Sequence, residues 1–425
     1  MVRSSLSRRL KVLRPSLLGV LTVLLVCVPA RRGDLSGGVH VTLADLASVA
    51  LIGVAAFTLL VKRKRRFLPG RVWLLVPIAL AAVLATFTAA DLMGSMPGLL
   101  RFLQIFVLIP LALLVVVRTA TDAWLLVGAV AVSALVQGTV GVWQAATGTG
   151  ASYAGEYIRA VGTFGAQDVM AMATIVGYGW IILLGTGLAT RGRARMVCLA
   201  GVAALSVPLA LSLSRGAWVA TLCAALVMLL LYGLRTALRT GLFVTAAAVV
   251  LVLGLGVGSD TFGERVTSIT SSVSQPDQSV DDRYSLWRTA TAIWQDHPVT
   301  GVGPRGFAVH RDSYAPLELS SGSDIEDPVS GYQRQPLLSP HNMYLLVLSE
   351  QGLPGLVSFV LLLAALGVWS VKRLRRAKSE GGKAFGMVVT GFLTWQVANF
   401  SYADIGGPPT LVMSVMLGMA LWWAQ

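Results

Sequence analysis

Charge is scarce in this chain. Asp, Glu, Lys and Arg together make up 13% of its 425 residues, against about 25% in soluble domains. Hydrophobic residues supply 55%, and the mean hydropathy is +0.73. That excludes a water-soluble enzyme built around a large core. Cysteine is scarcer still. Cys27, Cys198 and Cys223 all lie in apolar runs, an odd, scattered set that is neither a disulfide framework nor a zinc site. The four histidines (His40, His297, His310 and His341) show no metal-ligand spacing. No glycine-rich loop is followed by Lys-Ser or Lys-Thr, which excludes a nucleotide loop. No internal repeat is visible.

What is abundant is long apolar runs. A helix needs about 20 mostly apolar residues to cross the hydrocarbon. Such runs fall at roughly 15–30, 41–61, 72–90, 99–117, 123–146, 169–190, 196–213, 216–234, 241–257, 353–371, 385–402 and 408–424. The sequence therefore predicts an all-α polytopic membrane protein of about 12 transmembrane helices. The basic stretch to Arg14 with the apolar run to Ala30 reads as an uncleaved first helix, because so many spans follow.

Lys and Arg alternate by loop. The N-terminus, 62–71, Arg118, 191–195, Arg235 with Arg239, and 372–383 hold 23 of the 34 basic residues. The opposite side holds 18 of the 20 acidic ones. The positive-inside rule then puts both termini in the cytoplasm. The formal net charge of +14 is a topology signal and does not imply nucleic acid.

The chain divides into 1–257 with nine spans, a large extracytoplasmic loop at 258–340, and 341–425 with a short outer helix and three spans. The loop has 83 residues, 6 of them basic and 11 acidic. Within it, SVDDRYSLWRTATAIWQDHP predicts an amphipathic helix, capped by Asp281 or Asp282 and striped by Trp287, Ala290, Ile293 and Trp294. SDIEDPVSGYQRQPLLSP reads as turn-rich and mobile.

Outer cations are few, so each carries weight. Arg215, in LSLSRGAWVA, sits at a tight junction of two spans. It either snorkels to headgroups or faces a defined site, since charge at membrane depth costs about 2.5–3.5 kcal/mol on insertion scales. Arg283 precedes Trp287 by one turn and borders the apolar stripe, whereas Arg288 points elsewhere. Arg159 lies in EYIRAVGTFGAQDVM, before a span, as an interfacial anchor or an entry-site cation. Arg305, in GVGPRGF, stands among glycines that permit close approach to a ligand or simply form turns.

His341 lies in SPHNMYLLVLSEQGLPG. Ser339 as N-cap and Pro340 at the first position predict a helix with His341 in its first turn. The helix dipole there keeps the imidazole neutral and able to take a proton. Residues 341, 345, 348 and 352 would share one face. Arginine forks suit phosphate oxygens. A cluster of them beside a neutral histidine on the outer side fits a lipid-borne diphosphate.

These stretches resemble the O-antigen ligase and O-antigen polymerase (Wzy-type) superfamily of bacterial envelope glycosyltransferases. The resemblance rests on RAVGTF at 159–164, SLSRGAW at 212–218, RYSLW…DHPVTGVGPRGF at 283–307 and PHNMYLLVLSEQGLPG at 340–355, in that order. It implies polysaccharide biosynthesis in the cytoplasmic membrane. A glycan on a polyprenyl diphosphate of undecaprenyl type would move to an acceptor hydroxyl on the outer face, with inversion and with neither metal nor cofactor. The acceptor would be a glycan, a lipid or a wall polymer. The resemblance implies that Arg215 and Arg283 bind diphosphate, that His341 activates the acceptor, and that Arg159 stands near the lipid entry. Arg305, Asn342 and Tyr344 are further candidates for substrate contact. GAQDVM at 165–170 departs from the Pro-Asn pair of many relatives, which leaves Gln167 and Asp168 without an assigned role.

A ligase and a polymerase share these sites and are not separated by sequence. A transporter or flippase would carry ionisable residues mid-membrane. Here only Asp45 and Arg101 lie inside spans, both near boundaries. A scaffold would leave the arginines without a purpose.

Overall fold

A computed structural model describes residues 14–29, 41–61, 70–153, 159–168, 170–236, 238, 278–327 and 331–425. The helices are α1 (Leu17–Leu25), α2 (Leu43–Val61), α3 (Gly70–Phe87), α4 (Leu92–Val116), α5 (Ala120–Thr147), α6 (Ala171–Ala189), α7 (Gly192–Leu211), α8 (Arg215–Tyr232), α9 (Gln278–Asp296), α10 (Gly306–Tyr314), α11 (Met343–Arg376), α12 (Glu380–Asn399) and α13 (Pro409–Trp423). Eight of them (α2 to α8 and α11) are long and apolar enough to cross a membrane. Many apolar side chains face outward, among them Phe57 and Leu60 at 65% and 79% exposure. Lipid, not water, is the solvent that tolerates such a surface. The chain is a multi-pass membrane protein.

Eleven of the twelve predicted spans coincide with helices, and the run at 241–257 lies outside the described residues. The count of long apolar helices is lower for identifiable reasons. α1 has nine residues, too few for the hydrocarbon. α13 has fifteen. α12 carries Glu380, Lys383, Gln396 and Asn399, which dilute its apolar character.

Burial separates the helices by role. In α6, 78% of the most apolar stretch is buried, against 17% in α7. α6 is the central post and packs on α5, α7, α8 and α12. α13 packs on the second half of α4 and on α12. A buried aromatic cluster of Tyr178, Phe392 and Trp395 joins α6 to α12, with ring centroids 5.0–5.3 Å apart. Trp395 Nε1 donates to Thr221 Oγ1 of α8 at 3.0 Å.

The described residues 278–327 and 331–340 are more ordered than their composition suggests. α9 starts at Gln278, ahead of the predicted acidic cap. Asp282 does not cap it. Its carboxylate accepts from Ser320 N at 3.2 Å and Ser320 Oγ at 2.8 Å. The buried stripe is Leu286, Ala290 and Ile293, shifted by one residue from Trp287, and α9 packs on α11. The stretch read as mobile forms β2 (Gly322–Asp327) and β3 (Gly331–Pro336), an antiparallel pair running from Gly322↔Pro336 to Asp327↔Gly331. β1 (Ser152–Tyr153) adds on the free side of β2 through Tyr153↔Ile325. The fold is mostly helical, as expected, and this region adds one small three-stranded sheet. Ile325, at 1% exposure, packs with Ala151, Val161 and Ala166 in a core separate from the helical one. An alternating run with an inward isoleucine is a strand pattern, but its Asp, Glu and Gly content masked it.

Candidate active site

A cavity of about 500 Å³ opens among α6, α9, α12, α13 and the sheet. Its wall includes Arg159, Asp168, Arg283, His341 and Asp404, with Tyr178, Gln396 and Asn399 from the helices. It lies where α6, α11 and α13 begin and α12 ends. The Arg71–Trp369 and Arg373–Trp423 stacks, at 4.9 and 4.6 Å to the ring centroids, lie near the other ends of α11 and α13.

The backbone around His341 differs from the sequence expectation. The N-cap of α11 is Asn342, not Ser339. Its Oδ1 accepts from Tyr344 N at 3.0 Å and Leu345 N at 3.1 Å. His341 stands outside the helix with φ of 47°, a left-handed conformation uncommon for a residue with a Cβ. The shared face with Gly352 is therefore lost. Gly352 itself is a break in α11, at φ 67°.

Three side chains hold the His341 loop. Trp287 Nε1 donates to Pro340 O at 3.0 Å. Ser339 Oγ accepts from His341 N at 3.1 Å and donates to Asp404 Oδ2. Asn342 Nδ2 reaches Ser401 O at 3.3 Å, and Met343 N donates to Phe400 O at 2.8 Å. The turn at 400–404 is thereby pinned to the start of α11, which brings Asp404 close to His341. Burial pushes the imidazole pKa below its ordinary value; Asp404 opposes that shift and Arg283 adds to it. A ring so placed is neutral at pH 7 and can accept a proton.

Arg283 and Trp287 lie one turn apart on α9. The same helix face thus presents a cation to the cavity and steadies the histidine loop. Arg288 projects the other way and pairs loosely with Glu318 at 3.7 Å, both side chains exposed. Arg159 reaches the wall because its segment is tied on every side. Its backbone pairs with Ala151 at 2.6 and 2.9 Å. Gln144 Oε1 accepts from Val161 N and Gly162 N at 3.0 and 2.8 Å, and Gln137 Oε1 from Thr163 N at 2.9 Å.

Of the other sequence candidates, Arg215, Arg305, Asn342 and Tyr344 are not among the described lining residues. Arg215 opens α8 directly after its N-cap Ser214, beside Gly216, which packs on Tyr402 of the pinned turn. Asn342 is occupied in capping. Tyr344 OH donates to Val397 O at 2.9 Å, and its ring packs on Phe359 and Phe400. Arg305 precedes α10 at φ 67°.

The glycine-rich loop approaches protein backbone. Val302 N donates to Ser349 O at 3.0 Å, Gly303 N to Glu350 O at 2.9 Å and Leu353 N to Pro298 O at 2.9 Å. Phe307 N reaches Glu350 Oε1 at 3.3 Å. A Cβ on Gly352 would stand 2.2 Å from Val299 O, and one on Gly301 2.3 Å from Glu350 C. The two sequence stretches HPVTGVG and SEQGLP are one interlocked unit.

Asp404 is the residue that sequence reasoning missed. Its available signal was an acidic side chain at a junction of two apolar runs, just before Gly406-Gly407-Pro408-Pro409. Asp168 also lines the cavity, its carboxylate 2.7 Å from where a Cβ on Gly407 would lie.

These features define a membrane protein whose helix ends enclose a cavity lined by two arginines, a neutral histidine and three carboxylates, Asp168, Asp282 and Asp404. Residues 199–360 match the sequence pattern of the family described as O-antigen ligase. The match supports the O-antigen ligase and polymerase superfamily for this chain, and a membrane enzyme of ligase or polymerase type. It covers less than half of the chain and includes Arg215, Arg283, Arg305 and His341, while Arg159 and Asp404 lie outside it. None of the curated proteins compared with the chain matches it.

Proposed function

We propose that the protein transfers a glycan from a polyprenyl diphosphate carrier to an acceptor hydroxyl on the outer face of the cytoplasmic membrane. The observation that carries this reading is the convergence of Arg159, Arg283, His341 and Asp404 on one cavity at the helix ends. With the basic loops in the cytoplasm, that cavity faces outward.

In the proposed step the acceptor oxygen attacks the anomeric carbon on the face opposite the diphosphate. The new C–O bond forms as the sugar–phosphate bond breaks, and configuration inverts. The bonding pair leaves on the diphosphate, where Arg283 and Arg159 meet its charge, with Arg215 at the flank. The acceptor proton passes to the neutral imidazole of His341, and Asp404 steadies the imidazolium formed. Removing one preorganised electrostatic donor of this general kind typically costs about 2.7–4 kcal/mol of barrier.

Ligase chemistry, the transfer of a finished chain, is the first reading, and repeat-unit polymerisation is the second. The test is the profile of carrier-linked glycans in cells lacking the protein, with wild type or His341→Ala restored. Long chains stranded on the carrier mean a ligase, and single repeats mean a polymerase. If neither accumulates, the glycosyl-transfer reading is overturned.

A further inference from the structure

Buried polar groups in this membrane bundle are mostly paired. Ser16 Oγ donates to Asp122 at 2.9 Å, Ser414 Oγ to Ile105 O at 2.5 Å and Trp395 Nε1 to Thr221 at 3.0 Å. The pattern breaks at a few described side chains, and one of these oxygens belongs to the cavity wall. Gln396 and Asn399 lie one turn apart on α12, at 3% and 4% exposure, and both line the cavity. Gln396 Oε1 accepts from Tyr178 OH at 2.5 Å, which commits only one end of its amide. Asn399 Oδ1 has no hydrogen-bond partner. Of the buried side-chain oxygens without one among the described residues, it is the one on the cavity wall.

An unpartnered buried polar group costs about 1–3 kcal/mol, so an unpaired amide on a residue that lines a cavity is suited to a polar group that enters it. Asn399 is also fixed in place. Its backbone carbonyl accepts from Tyr402 N at 2.8 Å and Ala403 N at 2.9 Å, within the turn that delivers Asp404. The ligand group must therefore sit beside the proposed base. A neutral group that both donates and accepts suits Asn399, because an amide has one oxygen and one NH₂. An isoprenoid chain would leave the amide unsatisfied. A diphosphate cannot donate to an amide oxygen and has the arginines instead.

We infer that Asn399, with Gln396 one turn below, forms a hydrogen-bonding subsite for a hydroxyl or acetamido group on the sugar joined to the diphosphate. The subsite sets which sugar is accepted at that position. This rests on the donor reading above and adds a residue that reads the sugar, not the carrier.

The test is displacement of labelled polyprenyl diphosphate from the full-length protein in lipid nanodiscs. The competitors are bare polyprenyl diphosphate, its hexose and N-acetylhexosamine conjugates, and their monodeoxy counterparts. Wild type is expected to prefer at least one sugar conjugate over its deoxy counterpart by about tenfold, the scale of one good hydrogen bond. Asn399→Leu, close to isosteric, is expected to shrink that preference to within about twofold and to bind the bare carrier as wild type does. Asn399→Ala serves as the second variant should the leucine chain not fold. The inference is overturned if wild type shows no such preference, or if the variants keep it. It is also overturned if the variants weaken the bare carrier and the conjugates alike, which marks a structural residue. If the bare carrier does not bind wild type, the donor reading itself fails.

Discussion

At His341, burial of the ring and the charge of Arg283 act in the same direction, and Asp404 acts against them. If His341 is the base, as proposed, acid removes it by protonating the ring, and this occurs below the ordinary imidazole value. The acid limb of kcat/KM is expected there, measured on reconstituted protein with saturating acceptor. Asp404→Asn removes the influence that raises the pKa, so the limb is expected to move to lower pH while the rate falls. A limb that stays in place would remove Asp404 from the pair. His341→Ala is expected to lose about 10²–10⁴-fold in transfer, and Arg283→Ala about 10²–10³-fold. Both should leave yield and thermal unfolding in detergent near wild type. His341, Arg283 and Arg159 were legible as polar residues in an apolar chain. Asp404 was not, because 63 positions separate it from His341 and only the pinned turn closes that gap. The conformation of His341 was illegible for a local reason. Ser339-Pro340 imitates a helix start, and nothing in the sequence says that Asn342, with a stronger claim on the amides of 344 and 345, takes the cap.

The elements that carry the site are held by neighbours distant in sequence. The β2–β3 pair touches the Arg159 segment through Ile325, Ala151, Val161 and Ala166. Ile325→Ala is expected to cost about 2–5 kcal/mol locally and to raise the apparent KM for the carrier more than it lowers kcat. Equal losses in both would mean that the sheet does not position Arg159. Gly352→Ala is a harsher change. It places a side chain 2.2 Å from Val299 O in a backbone region (φ 67°, ψ −169°) that is essentially glycine-only and costs about 1–3 kcal/mol for other residues. Loss of folded protein, read by size-exclusion yield, is the expected outcome. Helix positions were readable because lipid demands long apolar runs. The sheet was not, since three strands of two to six residues rich in Gly, Asp and Gln fall below any periodicity signal.

The whole molecule places the candidate cavity where the bundle's helices end, and its topology can be tested directly. Single cysteines at Ser321 and at Lys378, in a chain freed of its three native cysteines, are expected to label oppositely with an impermeant maleimide, Ser321 from outside and Lys378 only after lysis. Transfer by the purified protein is expected to survive a strong chelator, since the proposed step relies on arginines for the diphosphate charge. Loss of activity that returns with a divalent cation would count against it. The hydrogen bonds joining 298–303 to 349–353 also bear on how such a protein can diversify. A recombinant chimera that imports a foreign α11 while retaining its own glycine loop would mismatch two backbones built to fit each other. Exchange of either stretch alone should abolish expression, and joint exchange should restore it. The two stretches are expected to pass between relatives as a single heritable cassette.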